Sequence, residues 1–178
     1  DPNDPASIVC QWQESEIPEL ADTDVLIEVH YSSMNYKDAL AVTGKGKILR
    51  SLPLTPGIDA SGIITKSRSQ KFKEGDAVLI TGCGIGETQN GAYAQFLKAP
   101  ESIVIPLPKN LSLKQAMILG TAGFTAGLAL HQLEKNDLTP EKGPVLITGA
   151  TGGVGSLSLI LLKEKGYELE TWTRKSED

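Results

Sequence analysis

The stretch Val145-Leu-Ile-Thr-Gly-Ala-Thr-Gly-Gly-Val-Gly155 decides how the second half of this chain folds. Residues 144–148 predict a strand, and the apolar residues from about 154 to 165 predict a helix that ends at Gly166. A second strand is predicted over residues 167–173. Strand, glycine-rich turn, helix and strand in this order are typical of a βαβ unit, so we expect parallel strands and an α/β fold here.

The glycine-rich turn predicts a binding site for the diphosphate of a dinucleotide. Gly152 lets the backbone approach a pyrophosphate closely, and Gly155 lets the helix pack against the strand. The N–H groups of residues 151–154 lie at the positive end of the helix and are expected to face the anion. Ala150 stands where the pattern G-x-G-x-x-G has its first glycine, so a turn that binds nothing is the alternative. The candidate cofactor-binding residues of the turn are Thr151, Gly152, Gly153, Val154 and Gly155.

The end of the second strand indicates which nicotinamide cofactor is bound. An acidic side chain about 20 residues past the turn selects NAD in this kind of fold. Thr173, Arg174 and Lys175 stand there instead, and their hydroxyl, guanidinium and ammonium groups suit a 2′-phosphate. We therefore predict that the cofactor is NADPH and that these three residues bind its extra phosphate. Solvated charges at a strand end are the alternative for Arg174 and Lys175.

Short β-like runs separated by Gly, Pro and Asp fill the first half of the chain and predict a barrel or a sandwich. Val25, Ile27 and Val29 alternate with other residues, as in a half-buried strand. One helical segment is predicted around residues 35–42, and a Gly-Asp turn precedes Ala77. The predicted strands are residues 7–12, 25–31, 61–65, 77–81, 92–98 and 102–105.

Helical periodicity replaces the β pattern after Leu111. Ser112 can cap a helix that runs to about residue 120. A second helix is predicted over residues 123–135, where small residues at Gly123 and Gly127 would allow close packing. We therefore expect a β-rich domain over residues 1–115 and a nucleotide-binding domain over residues 116–178.

The composition is that of a globular protein whose partner is a small molecule or another protein. Of 178 residues, 40% are hydrophobic and 22% are charged, with 17 Lys and Arg against 22 Asp and Glu. No more than two basic residues are adjacent, so we expect no nucleic-acid partner and no membrane anchor. The uncharged run 115–130 is shorter than a bilayer span, and the first residues lack the pattern of a secretory signal, so a cytoplasmic location is expected. Cys10 and Cys83 are expected to be buried thiols.

Three further motifs carry a resemblance to a known family. Ser32-Ser-Met-Asn-Tyr-Lys-Asp-Ala-Leu40 and Thr55-Pro-Gly-Ile-Asp-Ala-Ser-Gly62 come first, followed by Gly120-Thr-Ala-Gly-Phe-Thr-Ala126 and then by the glycine-rich turn. With these motifs in this order, the chain resembles the medium-chain dehydrogenase/reductase superfamily over almost its whole length. The resemblance is greatest to the acryloyl-CoA reductase branch (YhdH/AcuI type) of the quinone oxidoreductase-like proteins. It implies a GroES-like β-rich catalytic domain followed by the first part of a Rossmann dinucleotide-binding domain.

The resemblance also implies hydride transfer without zinc. Zinc-dependent members have a Cys ligand and a Gly-His-Glu motif where this chain has Asn35 and Ile58-Asp59, and an amide and an alkyl chain cannot replace thiolate and imidazole. NADPH would give hydride to the β-carbon of a conjugated carbonyl, with acryloyl-CoA as the leading substrate. By the resemblance Tyr36 lies against the nicotinamide while Asn35 and Asp38 order that wall, and these three are the candidate catalytic residues. The alternative is a plain helix start, at which Asn35 is the cap and Lys37 pairs with Asp38.

The predicted βαβ unit is less than the two βαβαβ halves of a complete dinucleotide-binding sheet. We therefore expect this chain to be a partial form that turns over poorly alone, and the full-length protein to be a homo-oligomer. Three functions stay open: reduction of an enoyl thioester, reduction of a quinone, and nucleotide binding without catalysis. A short-chain dehydrogenase is disfavoured, because that family begins near its glycine pattern and 147 residues precede Thr148 here.

Overall fold

The computed structural model describes residues 8–173, which divide into two compact units after Ile118. The first unit contains one antiparallel sheet and a short helix, α1 (Tyr36–Thr43). Its strands are β1 (Asp24–Tyr31), β2 (Asp59–Ser67), β3 (Ala77–Thr81), β4 (Phe96–Pro100) and β5 (Ile105–Pro106). They lie in the order β4-β1-β2-β3-β5, so β1 and β2 occupy central positions.

The core of the first unit is formed by aliphatic side chains from these strands and from the loop before β4. Leu26 is buried together with Val25 and Ile27, so β1 begins with both faces covered and does not alternate as a half-buried strand would. A Gly-Asp turn precedes β3 as expected, and Gly75 there has a φ of 90°. The buried cluster comprises Val25, Ile27, Ala60, Ile64, Val78, Ile80, Ile85, Ala92, Leu97, Ala99 and Val104.

Three predicted strands of the first unit are wrong or misplaced. Residues 8–12 form no strand, and Val9 and Trp12 are exposed, because no neighbouring strand pairs with this segment. The strand predicted over residues 92–98 begins only at Phe96, since the N–H groups of Ala92 and Tyr93 donate to the backbone of residues 56–57. Residues 101–103 form a 3-10 turn, so the strand predicted over residues 102–105 shrinks to β5.

The two helices predicted after Leu111 are both present and follow one another without a loop, so that together they span α2 (Leu113–Lys135). The Ser112 hydroxyl accepts a hydrogen bond from the Gln115 N–H at 3.2 Å, and Gln115 Oε1 accepts one from the Ser112 N–H at 2.9 Å, so the expected cap is present. At Gly120 the backbone leaves the helical region, with φ 50° and ψ −156°, which separates two helical segments near the expected place. The break coincides with the division between the units.

The second unit contains the predicted βαβ arrangement. It comprises the C-terminal part of α2, β6 (Val145–Thr148), α3 (Gly153–Glu164) and β7 (Leu169–Trp172). The strands β6 and β7 are parallel, with Val145 opposite Leu169 and Thr148 opposite Trp172. Tyr167 was predicted to begin the last strand, but its ring is buried in the core and its hydroxyl donates to the Leu138 carbonyl oxygen at 3.0 Å. The buried cluster comprises Leu130, Ile147, Ala150, Leu162 and Tyr167.

Two expectations about small residues and thiols are wrong. A Cβ added at Gly127 would meet no atom within 4 Å, so this glycine does not permit a close contact. Gly123 differs, because a Cβ there would lie 2.8 Å from Cβ of Leu119, in the helical segment before Gly120, so a close contact between the two segments needs this glycine. Cys10 and Cys83 are both exposed, because Cys10 lies in the segment outside the sheet and Cys83 lies in a loop.

By length and composition, α2 is the one helix among residues 8–173 that could cross a membrane. Long apolar helices of globular cores share these properties, so they do not distinguish a membrane span from a core helix. The backbone break at Gly120 divides this helix into two shorter segments.

Candidate functional site

Polar groups of the first unit gather where β1 ends and where α1 and β2 begin. The side chain of Asp59, the first residue of β2, has no exposed surface. Its carboxylate accepts a hydrogen bond from the Ser33 hydroxyl and another from Nδ2 of Asn35 at 2.9 Å. The Ser32 hydroxyl donates to the Asp59 carbonyl oxygen at 2.7 Å. These bonds fix the segment before α1 against the start of β2.

A second buried carboxylate, Asp38, holds the first turn of α1. Its side chain is only 2% exposed. Oδ2 accepts the Asn35 N–H at 2.9 Å, and Oδ1 accepts the Ile58 N–H at 3.0 Å. Asn35 is therefore the N-cap residue as the alternative interpretation predicted, but the Lys37–Asp38 pair is wrong, because Asp38 is buried on backbone donors and Lys37 pairs with Glu87.

Tyr93 joins this cluster from the loop before β4. Its hydroxyl donates to the Ser33 carbonyl oxygen at 3.2 Å. Partial burial raises the pKa of Tyr93 to about 12, with further contributions from the charges of Asp38 and Asp59 and a hydrogen bond to Asp38. The phenol therefore stays protonated at neutral pH and acts as a hydrogen-bond donor to its neighbours.

Tyr36 stands at the edge of the cluster, as the first residue of α1. Its side chain is 80% exposed, and that of Met34 is 86% exposed. The three predicted catalytic residues therefore divide by environment: Asn35 and Asp38 belong to the buried hydrogen-bond network, and Tyr36 presents its ring on the surface of the first unit. An exposed ring with a fixed helix start can contact a bound molecule without losing an internal contact.

Metal ligands are not grouped within residues 8–173, where no three His, Cys, Asp or Glu side chains are placed to hold an ion. The carboxylates of Asp38 and Asp59 accept hydrogen bonds from N–H and O–H donors instead. The side chains at this site thus act as an ordering network around the start of α1.

In the second unit, the glycine-rich turn connects β6 to α3. A Cβ at Gly155 would lie 2.4 Å from the Gly149 carbonyl oxygen and 2.8 Å from Cα of Ala150, so a side chain does not fit there. Gly155 therefore permits a close contact, and this contact is with residues 149–150 of the turn rather than with the strand. At Gly153 a Cβ would lie 3.3 Å from Cβ of Ala122 in α2.

The N–H groups of the turn differ from the expectation at one position. The Gly152 N–H donates to the Gly149 carbonyl oxygen at 2.9 Å, because the turn closes on itself before the helix begins. Gly152 is the N-cap of α3, and its carbonyl oxygen accepts the Ser156 N–H at 2.9 Å. The N–H groups of Gly153, Val154 and Gly155 form the first helical turn, where intrahelical acceptors are missing, and they can bind an anion.

A cavity of about 500 Å³ borders this turn within the second unit. Ala126 and Leu130 of α2, the strand β6 and residues 152–155 line it. Thr151 and Thr173 are exposed and do not belong to its lining. Arg174 and Lys175 lie outside the described residues, so their role stays a prediction.

Sequence reasoning missed three members of the network: Ser33, Asp59 and Tyr93. Ser33 and Asp59 stand in quoted motifs without an assigned role, and Tyr93 was not considered. An acidic residue directly before an apolar strand, as Asp59 stands before Ala60, is a usable signal, since a buried carboxylate needs donors. Tyr93 gave no such signal, because its partners are distant in sequence.

Comparison with known proteins decides the family. Residues 21–109 match the family described as the alcohol dehydrogenase GroES-like domain. The chain belongs to this family. Its GroES-like unit contains the whole network around Asp38 and Asp59.

Two curated relatives extend the likeness into the second unit. The chain is 47% identical over 159 residues to YhfP of Bacillus subtilis, whose name places it among quinone oxidoreductases, over 89% of this chain and 48% of the relative. It is 44% identical over 154 residues to acrylyl-CoA reductase AcuI of Ruegeria pomeroyi, over 86% of this chain and 47% of the relative. The chain therefore spans about half the length of the relatives it matches.

Solved structures agree with both units of the fold. The yhdH oxidoreductase of Salmonella enterica in complex with NADP superposes with a TM-score of 0.86 at 46% identity, over 89% of this chain and 49% of that one. Bacillus subtilis yhfP with NAD bound superposes with a TM-score of 0.85 at 47% identity, over 89% of this chain and 48% of that one. A GroES-like β-rich part followed by the start of a dinucleotide-binding fold is thus confirmed.

Proposed function

We propose that this chain is the GroES-like and nucleotide-binding part of an NADPH-dependent reductase that reduces the conjugated C=C bond of an enoyl thioester, converting acryloyl-CoA to propionyl-CoA. The observation that carries the proposal is the turn between β6 and α3, where Gly152 is the N-cap and the N–H groups of Gly153, Val154 and Gly155 begin the helix without intrahelical acceptors. Such a turn lets a diphosphate approach the first N–H groups of a helix. The names of the relatives supply the substrate class.

The residues assigned to the cofactor lie in two places. In this proposal the turn at residues 151–155 binds the diphosphate through the N–H groups of Gly153, Val154 and Gly155 and through the helix dipole. Thr173, Arg174 and Lys175 bind the 2′-phosphate. NADPH fits this pattern better than NADH, because no acidic side chain occupies residues 173–175.

The chemistry divides between the cofactor and the chain. Bound NADPH would supply hydride to the β-carbon of the substrate. The electron pair of the C=C bond then moves toward the thioester oxygen, and a proton must be added at the α-carbon. In this proposal Tyr36 donates a hydrogen bond to this oxygen, and the bonds of Asn35 and Asp38 fix the helix start that carries Tyr36. Asp59 and Tyr93 hold Asn35 and Ser33 in place.

Quinone reduction is the second candidate, because YhfP is named for it and the same hydride delivery serves both substrates. Nucleotide binding without catalysis is the third. We also infer that residues 1–115 form the catalytic domain and residues 116–178 the first part of the cofactor domain. The whole protein would be a cytoplasmic homo-oligomer whose partner is a small molecule, without a nucleic-acid or membrane partner.

A cofactor titration tests the proposal. We expect the chain to bind NADPH about tenfold more tightly than NADH, since one charge-assisted contact to the 2′-phosphate contributes about 1.5–3 kcal/mol. Arg174→Ala should weaken NADPH binding and leave NADH binding unchanged, as measured by nicotinamide fluorescence. Lys163→Ala, an exposed cation of α3, is the control.

Equal affinities for the two cofactors, or equal losses in the Arg174 variant, would contradict the assignment of the 2′-phosphate contact. The titration is informative because the two solved relatives contain different cofactors, NADP in one and NAD in the other. Turnover gives a second readout. We expect slow or no oxidation of NADPH by the 178-residue chain with acryloyl-CoA, and rapid oxidation would show that the chain is not a partial form.

A further inference from the structure

A cationic segment follows α1 in the GroES-like unit. Between Asp38 and Asp59 the chain has Lys45, Lys47 and Arg50 and no acidic residue. All three side chains are exposed. This segment has a local charge of +3 in a chain whose net charge is −5. An anionic ligand is therefore attracted to this segment, although the net charge of the protein is negative.

Contacts hold the segment close to α1 and to Lys37. A Cβ at Gly46 would lie 3.3 Å from Cβ of Leu40, so the chain between Lys45 and Lys47 packs directly on the helix. The Arg50 N–H donates to the Glu87 carbonyl oxygen at 2.9 Å, and Nε of Arg50 lies 4.0 Å from Oε1 of Glu87. The Lys37 ammonium pairs with Oε2 of the same carboxylate.

The Glu87 carboxylate thus contacts two cations, Lys37 and Arg50. Glu87 neutralises one positive charge of the group formed by Lys37, Lys45, Lys47 and Arg50. The Arg50 side chain is 63% exposed, so its guanidinium remains accessible to a ligand despite Glu87. Lys37 directly follows Tyr36 in α1, and the other three cations come after the end of this helix at Thr43.

We propose that Lys45, Lys47 and Arg50 bind the phosphates of the coenzyme A carrier and select its 3′-phosphate. This inference rests on the proposed function, because it names the carrier end of the thioester whose acyl end that function places at Tyr36. An acryloyl group is small and uncharged, so the carrier must supply most of the binding energy. Phosphate groups form charge-assisted hydrogen bonds with Lys and Arg. A quinone has no phosphate, so these cations separate the two candidate substrate classes.

Calorimetric titration of the 178-residue chain tests the inference, with coenzyme A and 3′-dephospho-coenzyme A as probes. We expect coenzyme A to bind about tenfold more tightly than the dephospho form. The triple variant Lys45→Gln, Lys47→Gln, Arg50→Gln should bind both probes equally, with a loss for the dephospho probe and a loss of more than about tenfold for coenzyme A. The double variant Lys45→Gln, Lys47→Gln keeps the Arg50–Glu87 contact and should show part of the loss.

The matched control removes the same charges from the hairpin of β2 and β3. Lys66→Gln, Arg68→Gln, Lys73→Gln replaces two exposed Lys and one exposed Arg and should change coenzyme A affinity by less than about twofold, since these cations do not contact the ligand. Thermal unfolding of each variant confirms that the fold is kept.

Three results would overturn the inference: no preference for coenzyme A over the dephospho probe, equal losses in the triple and control variants, or a triple variant that loses NADPH affinity instead. The last result would assign the cations to the 2′-phosphate of the cofactor. Failure of the proposed function can be distinguished from failure of this inference. If the proposed function is wrong, the wild-type chain will not bind NADPH, whatever its affinity for coenzyme A.

Discussion

At the scale of single residues, Asp38 shows how a buried carboxylate orders an exposed side chain. Its two oxygens accept N–H groups from opposite sides, one at Asn35 and one at Ile58. Because Tyr36 follows Asn35 directly, the same bonds fix the position of the Tyr36 backbone, which carries the exposed ring. The geometry of a surface residue therefore depends on a residue that no ligand needs to touch.

Replacing Asp38 by Asn should destabilise the chain by about 1–3 kcal/mol, because an amide offers one acceptor where two N–H groups need one each. Chemical denaturation measures the change. The exposed Asp22→Asn is the matched control and should stay within about 0.5 kcal/mol of the wild type. A stability for Asp38→Asn equal to that of the control would show that the two bonds contribute nothing net.

Replacing either of two glycines of the second unit by alanine should change the stability of the chain, in opposite directions for the two positions. Gly155→Ala should destabilise the chain by about 1–3 kcal/mol, because its Cβ would overlap the Gly149 carbonyl oxygen. The affinity of the Gly155→Ala variant for NADPH should also fall. Gly127→Ala in α2 meets open space and should stabilise the chain by about 0.5–1 kcal/mol through helix propensity. Thermal unfolding separates the cases, and a loss of stability in Gly127→Ala would reveal a contact at that position.

At the scale of elements, an ion pair joins α2 to the end of α3. The Lys165 ammonium lies 2.7 and 2.8 Å from the two carboxylate oxygens of Glu134, and the Tyr167 hydroxyl also contacts this carboxylate. The hydrogen bond from Lys165 is the main cause that lowers the pKa of Glu134. The carboxylate is thus more acidic in the folded chain than in the unfolded chain.

This lowered pKa predicts the pH dependence of the pair. Its contribution to stability is fully present above the unfolded pKa, near 4.5, and is lost as pH falls through the lower folded pKa. Glu134→Gln should therefore flatten the decline of stability below pH 4.5 and leave a smaller difference from wild type in acid than at pH 7. Lys165→Gln should act likewise, and the double variant should add little, as a double-mutant cycle would measure. Additive losses would show that the two groups do not interact.

At the scale of the whole molecule, elements with a strong local signal could be predicted. The turn at residues 149–155, the cap at Ser112 and the break at Gly120 all rest on glycine, serine or apolar spacing within a few residues. Residues 8–12 failed for the opposite reason, because a strand needs a neighbour that local sequence does not specify.

The residues of the candidate site could likewise be predicted only where they are close together in the sequence. Asn35, Tyr36 and Asp38 were found together because they are adjacent in sequence and belong to a motif. The bond from Tyr93 to Ser33 spans 60 residues, and the bond from Asn35 to Asp59 spans 24, so only the folded chain brings these groups together. The burial that raises the pKa of Tyr93 is likewise a property of the fold.

A crystal structure of the chain with NADPH would show whether the turn between β6 and α3 binds the diphosphate of the cofactor. We expect diphosphate oxygens within hydrogen-bond distance of the N–H groups of Gly153, Val154 and Gly155. A cofactor bound elsewhere, with this turn unoccupied, would contradict this expectation.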